Sequence, residues 1–456
     1  MRISKDILLR NLIIVFVTVL LQTIFYISDC EWTVLPIICL LLEICIIISY
    51  VRKKLIFSPL VVSDLLLICM FFYQLGLVVS YGKLPIKATI SVVGCATIWR
   101  IIHSYDKSLV EKLNENKTYD LRLNTEKFKK YILGMWIVAA FFMLLEWNVA
   151  GGIPALRADG EVFRFSVKIN GITHMLAIMN KIVAILSATY IICSGKKIRK
   201  QKLMVFIFVC STLMIYLTAM RGELVIILFV IAVLYSIKKK IKLWKLIILV
   251  APILLFIGGY PIYRQYHAFG GLYVHDQIAI SRYHDIWFLT PLYQTVSDGM
   301  RTLGMVTEMY PYSYSYGIIN YSILSQIPFV NLGADVSVAI ANYSNSHFYS
   351  GLTSTYLGPL FADGGVIACY FYTLIMAIWT KKVFMQYVKK RNMLYTILYA
   401  FAFYNCIMLC YGNTIIELSF VFYYTVIYFV CSSATKASIS TIGEEFKNGN
   451  YHLHEA

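Results

Sequence analysis

The sequence predicts an all-α polytopic membrane protein of about twelve transmembrane helices, on three observations. Of 456 residues, 59% are hydrophobic and 14% charged, with a mean hydropathy of +0.70. The apolar residues fall in long runs without two-residue alternation, and most of the positive charge sits in short segments between those runs. A bilayer takes such runs as helices of roughly 20 residues. Backbone polar groups in lipid must be satisfied internally, and a barrel would show alternation instead.

In chain order the runs place spans near 11–28, 33–50, 60–80, 86–102, 131–149, 172–193, 203–219, 222–237, 244–260, 364–380, 393–411 and 415–432. The first run has basic residues before it and no small-residue cleavage site after it, so it is expected to stay as a span. With the N-terminus inside, 31 of the 41 lysines and arginines fall on the cytoplasmic side. They cluster within 2–10, 52–54, 100–130, 196–202, 238–245, 381–391 and 436–447. Positive residues favour that side, and an odd span number or a shifted frame would destroy the asymmetry. Both ends are then cytoplasmic. The organisation is nine spans over 1–260 with an outer loop at 150–172, a large outer loop over 261–363, three spans over 364–432, and a tail over 433–456. The net charge of +17 matches anionic lipid at the inner face and calls for no nucleic acid. The eleven cysteines lie mostly in apolar runs and form no CxxC, which suits small apolar core residues.

Ten cationic residues remain outside, six of them arginine: Arg157, Arg164, Arg221, Arg264, Arg282 and Arg301. Lysine at the inner face follows from topology; arginine at the outer side needs another reason. The guanidinium is a planar, permanently charged donor suited to phosphate. At that depth the natural phosphate is the diphosphate of a polyprenyl-linked substrate. Each arginine has a local alternative. Arg221, in LTAMRGELVII, has Glu223 or helix-end carbonyls. Arg264, beside glycines in GGYPIYRQYHAFGG, has the interface to snorkel towards. Arg157 and Arg164 flank Asp159 and Glu161, and Arg282 has Asp285.

The 261–363 loop is too long for a connector and too poorly charged for a disordered linker, so it is expected to fold into short helices or interfacial pieces. Thirteen tyrosines fall between 261 and 356, among them Tyr263, Tyr266 and the run Tyr310, Tyr312, Tyr314, Tyr316. They suit an interfacial aromatic belt or a wall for stacking sugars. His347, where a polar loop meets span ten, suits a general base or a helix cap. No HExxH, clustered Cys/His set, DxD, P-loop or GxSxG occurs, so no metal or nucleotide cofactor is expected.

GGIPALR at 151–157, AMRGELVIILFVIAVLY at 219–235 and SHFYSGLTSTYLGPLFADGG at 346–365 resemble the Wzy-type oligosaccharide repeat-unit polymerases, which make O-antigen, enterobacterial common antigen and capsule. The resemblance extends over nearly the whole chain in span count and loop placement. It implies a GT-C-like, metal-independent membrane glycosyltransferase of the bacterial inner (plasma) membrane. Such an enzyme moves a growing glycan from undecaprenyl diphosphate onto an incoming lipid-linked unit, often with a chain-length regulator as partner. By motif it assigns diphosphate contacts to Arg157 and Arg221, then to Arg264 and Arg282. Arg301 joins them as a further outer arginine, and Tyr263, Tyr266, Tyr312, Tyr314 and Tyr316 of the tyrosine-rich loop are the candidate glycan contacts. A ligase-like histidine maps onto His347, but Phe348 stands where the familiar asparagine would follow, which leaves Glu308 and Asp363 as alternative bases. Two other functions remain open: a lipid-linked oligosaccharide flippase, kept in view by Glu43, Asp64, Glu146, Lys181 and Glu417 within apolar runs, and an O-antigen ligase, which differs only in its acceptor.

Overall fold

The computed structural model describes residues 5–27, 34–52, 58–78, 83–104, 125–157, 163, 167–194, 197–239, 259, 266, 270–282, 284–310, 355–412 and 418–447. Among them the chain is all-helical apart from one isolated bridge, Val78 to Ser281. A helix occupies each expected span except the ninth, which apart from Gly259 lies outside the described residues. Among the described residues, three helical stretches are long and apolar enough to cross a membrane: Glu126–Ala150, Gly171–Cys193 and Leu357–Lys390. Large apolar side chains stay exposed along them and on shorter helices, among them Phe16, Leu41, Phe141, Phe206, Phe371 and Phe429. Such surface is a liability in water and suits lipid. The protein is a helical membrane protein.

Two compact units are built from interleaved segments: residues 1–116, 255–388 and 403–418 in the first, and 117–254, 389–402 and 419–456 in the second. In the first unit, α1 (Lys5–Ile27) packs on α2 (Val34–Arg52) and α4 (Ile86–Ile102), and α3 (Val61–Gln74) lies between α2 and α4. α3 ends earlier than the apolar run, because Gly76 turns the chain with φ 60 and Val78 then bridges to Ser281. That bridge and the Arg282 N–H donating to Leu77 O at 2.8 Å tie down the end of α10 (Gly271–Ile280). A 3₁₀ turn, His284–Leu289, leads into α11 (Thr290–Met309). The 261–363 segment is therefore partly helical, as expected. α11 buries Tyr293, Ser297, Met300, Leu303, Gly304 and Thr307 at three- and four-residue spacing, and Gly299, Thr302 and Val306 widen that buried face. Tyr293 Oη donates to Tyr73 O at 2.6 Å.

α12 (Leu357–Lys390) begins seven residues before its expected start. Pro359 falls in the first turn, where a missing N–H costs nothing. The residues 357–363 are all buried, and the helix then breaks at Gly364 and at Gly365, which has φ 63 and ψ −154. That conformation is open essentially to glycine alone. Beyond the break α12 runs along α4. Tyr370 Oη donates to Ile90 O at 2.8 Å, Thr373 Oγ1 donates to Cys95 Sγ at 3.2 Å, His103 Nε2 lies 3.1 Å from Thr380 Oγ1, and Lys381 Nζ donates to Ile102 O. Both sequences rise together through these contacts, so the helices are parallel.

In the second unit, α5 (Thr125–Ala150) is followed by α6 (Gly171–Ile178), α7 (Asn180–Cys193), α8 (Lys202–Leu217) and α9 (Arg221–Lys239). α13 (Met393–Met408), which belongs to the second unit up to Ala402 and to the first from Phe403, and α14 (Leu418–Lys447) follow in chain order. α6 opens on a capping box. Asn170 Oδ1 accepts from the N–H groups of Ile172 and Thr173 at 3.0 and 2.9 Å, and Asn170 N–H donates to Thr173 Oγ1 at 3.2 Å, satisfying donors that a helix start leaves orphaned. α7 is the central helix. Every residue from Asn180 to Tyr190 is buried beneath α5, α8 and α9, as its apolar circumference demands.

Two glycines test this packing in opposite directions. Gly365→Ala forces a strained backbone and should destabilise the protein by about 1–3 kcal/mol. Gly134, within α5 and with open space beside it, should gain about 0.5–1 kcal/mol as alanine. Thermal unfolding in detergent should show the first midpoint falling and the second rising.

Candidate functional site: a recessed helix turn bearing paired charges

The second unit carries a ladder of polar side chains along one face of α6 and α7. Near its top, Glu146 of α5 is 1% exposed, and it accepts from Thr173 Oγ1 at 3.3 Å while its other oxygen lies 3.0 Å from His174 Nδ1. Two turns further on, Lys181 is also buried. Its ammonium lies 2.6 Å from Glu223 Oε2 in the first turn of α9 and 4.3 Å from the Tyr423 ring centroid. Tyr423 is held in turn by its hydroxyl, which donates to Met175 O at 2.9 Å. A buried ammonium requires such company. An isolated one would lose its proton or open the structure to water, and an aromatic face adds up to about 2 kcal/mol where solvent is excluded.

This contact fixes the depth of the α8–α9 turn. Lys181 is ten residues past the start of α6, roughly 15 Å along a helix. Glu223 touches it from only the third residue of α9. The turn between α8 and α9 is therefore recessed, well below the shelf where α6 begins. Helix lengths agree: α8 has 16 residues, about 24 Å, against about 39 Å for the 26 residues of α5. The turn itself is tight. Thr218 Oγ1 donates to Ile215 O at 2.7 Å and accepts from Met220 N–H at 3.3 Å, and Ala219 takes φ 60. Arg221 then opens α9, whose N-terminal N–H groups favour an anion.

Of the residues singled out by sequence, the second unit holds Arg157 and Arg221. Arg157 follows the 3₁₀ turn Pro154–Leu156, which packs on α8. It is exposed, and its guanidinium lies 4.1 Å from the Phe163 centroid. Its expected local partners, Asp159 and Glu161, lie outside the described residues, as does Arg164. Glu223, an alternative partner for Arg221, pairs with Lys181; the Arg221 side chain lies outside the described residues.

The first unit holds the other sequence candidates. Arg282 is exposed just after α10, Arg301 and Glu308 sit seven residues apart on the less buried face of α11, and Asp363 is 2% exposed immediately before the break in α12. Exposed Glu308 lacks the dry setting that tunes a catalytic carboxyl; buried Asp363 has it. Tyr266 is half exposed. Burial pushes the Tyr293 phenol well above its ordinary value, so it remains a neutral donor. His347, Arg264, Tyr263, Tyr312, Tyr314 and Tyr316 lie outside the described residues, as does Glu417.

Comparison with known proteins places the chain in no family. No family model matches it, and neither a curated protein nor a solved structure shows significant similarity to it. Among the described residues, no group of three His, Cys, Asp or Glu side chains could hold a metal ion.

From sequence, Lys181 and Glu146 were charges inside apolar runs that kept a flippase in view, with no partner assigned to either. The missed signal was their company: a carboxylate within one turn of the neighbouring helix's start, in AMRGELV.

The ion pair yields an ordered prediction. Glu223→Gln strands a buried ammonium and should cost about 3 kcal/mol. Lys181→Met leaves a carboxylate that is 26% exposed and should cost less. Combining Lys181→Met with Glu223→Gln should recover most of the larger loss. Unfolding midpoints of the three variants, as a double-mutant cycle, check the order.

Proposed function

We propose that the chain is a Wzy-type polymerase, joining undecaprenyl-diphosphate-linked oligosaccharide units at the outer face of the bacterial inner membrane. The observation that carries this reading is the recessed α8–α9 turn. It sets Arg221 at a helix N-terminus, at the depth of buried Lys181. With the cytoplasmic lysines at the start of α8, a helix of about 24 Å stops short of a hydrocarbon core of roughly 30 Å. A diphosphate joined to a prenyl chain needs that arrangement: cations near the outer leaflet, low enough for the lipid tail to stay in the bilayer.

The chemistry is electrostatic. Breaking the anomeric C–O bond develops charge on a diphosphate that is already a good leaving group. In this reading Arg221, Arg157 and the α9 N-terminus stabilise that charge. A general base takes the proton of the acceptor hydroxyl. The expected spans, orientation and large outer loop belong to this reading, as does a possible chain-length regulator. The ligase differs only in handing the glycan to another acceptor. A second reading, flipping of the same lipid-linked oligosaccharide, draws on the buried charges of the first unit, where Arg100 lies between Glu43 and Asp64.

Purified protein in vesicles with undecaprenyl-diphosphate repeat units separates these. The polymerase yields ladders of longer lipid-linked glycan, and Arg221→Ala should slow them by about 10²–10³-fold, the usual effect of losing one such stabilising donor. Translocation without elongation would establish the flippase and sink the polymerase.

A further inference from the structure

The inner residues of the first unit hold a cluster that the proposed function does not use. Arg100 stands near the C-terminal end of α4, next to a basic stretch, and from sequence it belongs with the cytoplasmic charges. The structure buries it, with 1% of its side chain exposed. A single nitrogen, Nη2, donates to Glu43 Oε2 of α2 at 3.1 Å and to Asp64 Oδ1 of α3. Both carboxyls are as buried as the guanidinium, at 3% and 0%.

The charges do not balance. One guanidinium meets two carboxylates, and no second cation among the described residues pairs with either. The other titratable groups about the cluster are Tyr50 and Cys39, both of α2; α1 presents Thr18, which is polar and uncharged. A net negative charge in an apolar helix bundle is costly, and two carboxylates at one site do not both stay ionised. The hydrogen bonding is incomplete as well. Asp64 Oδ2 and Arg100 Nε and Nη1 are buried and have no partner. Space adjoins them. A cavity of about 140 Å³ lies beside Glu43, Thr18, Cys39 and Phe71. A smaller one of about 10 Å³, near the least that holds a water, lies against Arg100, Thr18 and Thr97. Thr18 lines both.

We propose that Glu43, Asp64 and Arg100 form a one-proton site inside the helix bundle, the two carboxyls sharing a single acidic proton. Loading is balanced: a hydronium ion gives its proton to a carboxylate and leaves as water, and the cluster goes from one net negative charge to none. The hydroxyl so formed is a donor for the site's unpaired acceptor, and water in the small cavity meets the unpaired guanidinium N–H groups. A proton held between α2 and α3 by a cation on α4 links proton uptake to the packing of all three helices. This site stands apart from the polymerase reading and survives its failure.

Infrared spectroscopy of the full chain in nanodiscs at neutral pH tests it. The wild-type protein should show a protonated-carboxyl C=O band that moves in D₂O. The near-isosteric variants Glu43→Gln and Asp64→Asn each leave one carboxylate for one guanidinium, and each should lose the band. Arg100→Gln should raise it about twofold, because both carboxyls then hold protons. A wild-type spectrum without the band overturns the proposal whether or not any variant folds, and so does a band that survives in both amide variants. Absence of the band together with a thermal midpoint raised by sodium but not by choline chloride also overturns it, in favour of a metal-cation site.

Discussion

A lysine ammonium inside a helix bundle dictates much about its surroundings. Lys181 lies on the most buried helix of its unit, and only an acceptor carried there by another element can keep it charged. Glu223 is that acceptor, and its place in the first turn of α9 obliges the α8–α9 turn to sit deep against α7. The short α8, the tight Thr218–Ala219 reversal and the position of Arg221 all follow from that one contact. Tyr423 completes it from α14 and is itself fixed by Met175, so the same contact ties the last helix of the chain to α6.

The first unit follows a related rule with a different outcome. Its buried cation is an arginine shared by two carboxylates, so the cluster holds α2, α3 and α4 together but leaves a charge over. Lysine with one carboxylate gives a neutral, closed pair. Arginine with two gives a site that must take up something positive. The same requirement, that buried charge be matched, yields a structural pin in one unit and an ion-accepting site in the other.

The positions of the helices were legible in the sequence, because an apolar run of bilayer length shows itself residue by residue. The capping box at Asn170 and Thr173 and the glycine pair at 364–365 are local signals too. The stretch Leu357–Asp363 was expected as a short helix or interfacial piece of the outer loop; its continuity with span ten was not legible, because the glycine pair at 364–365 interrupts the apolar run. The ion pairs were hidden for another reason. Lys181 with Glu223, and Arg100 with Glu43 and Asp64, join residues about 40 to 60 positions apart, and no window on one helix contains both partners. Arg100 was read as a cytoplasmic loop charge because its neighbours in sequence are basic, whereas its neighbours in space are acidic. Of the candidate arginines, Arg221 gained most from the structure, through its place at the head of a recessed helix.

The central claim is that the recess at the head of α9 receives a polyprenyl diphosphate. Photo-crosslinking measures this most directly: the purified full chain in nanodiscs, a benzophenone-bearing undecaprenyl diphosphate, and mass-spectrometric mapping of the labelled peptides. Labelling concentrated in 170–181 and 218–223, and competed by unlabelled lipid diphosphate, is the predicted result. Labelling that spares both segments while saturating elsewhere would contradict the account.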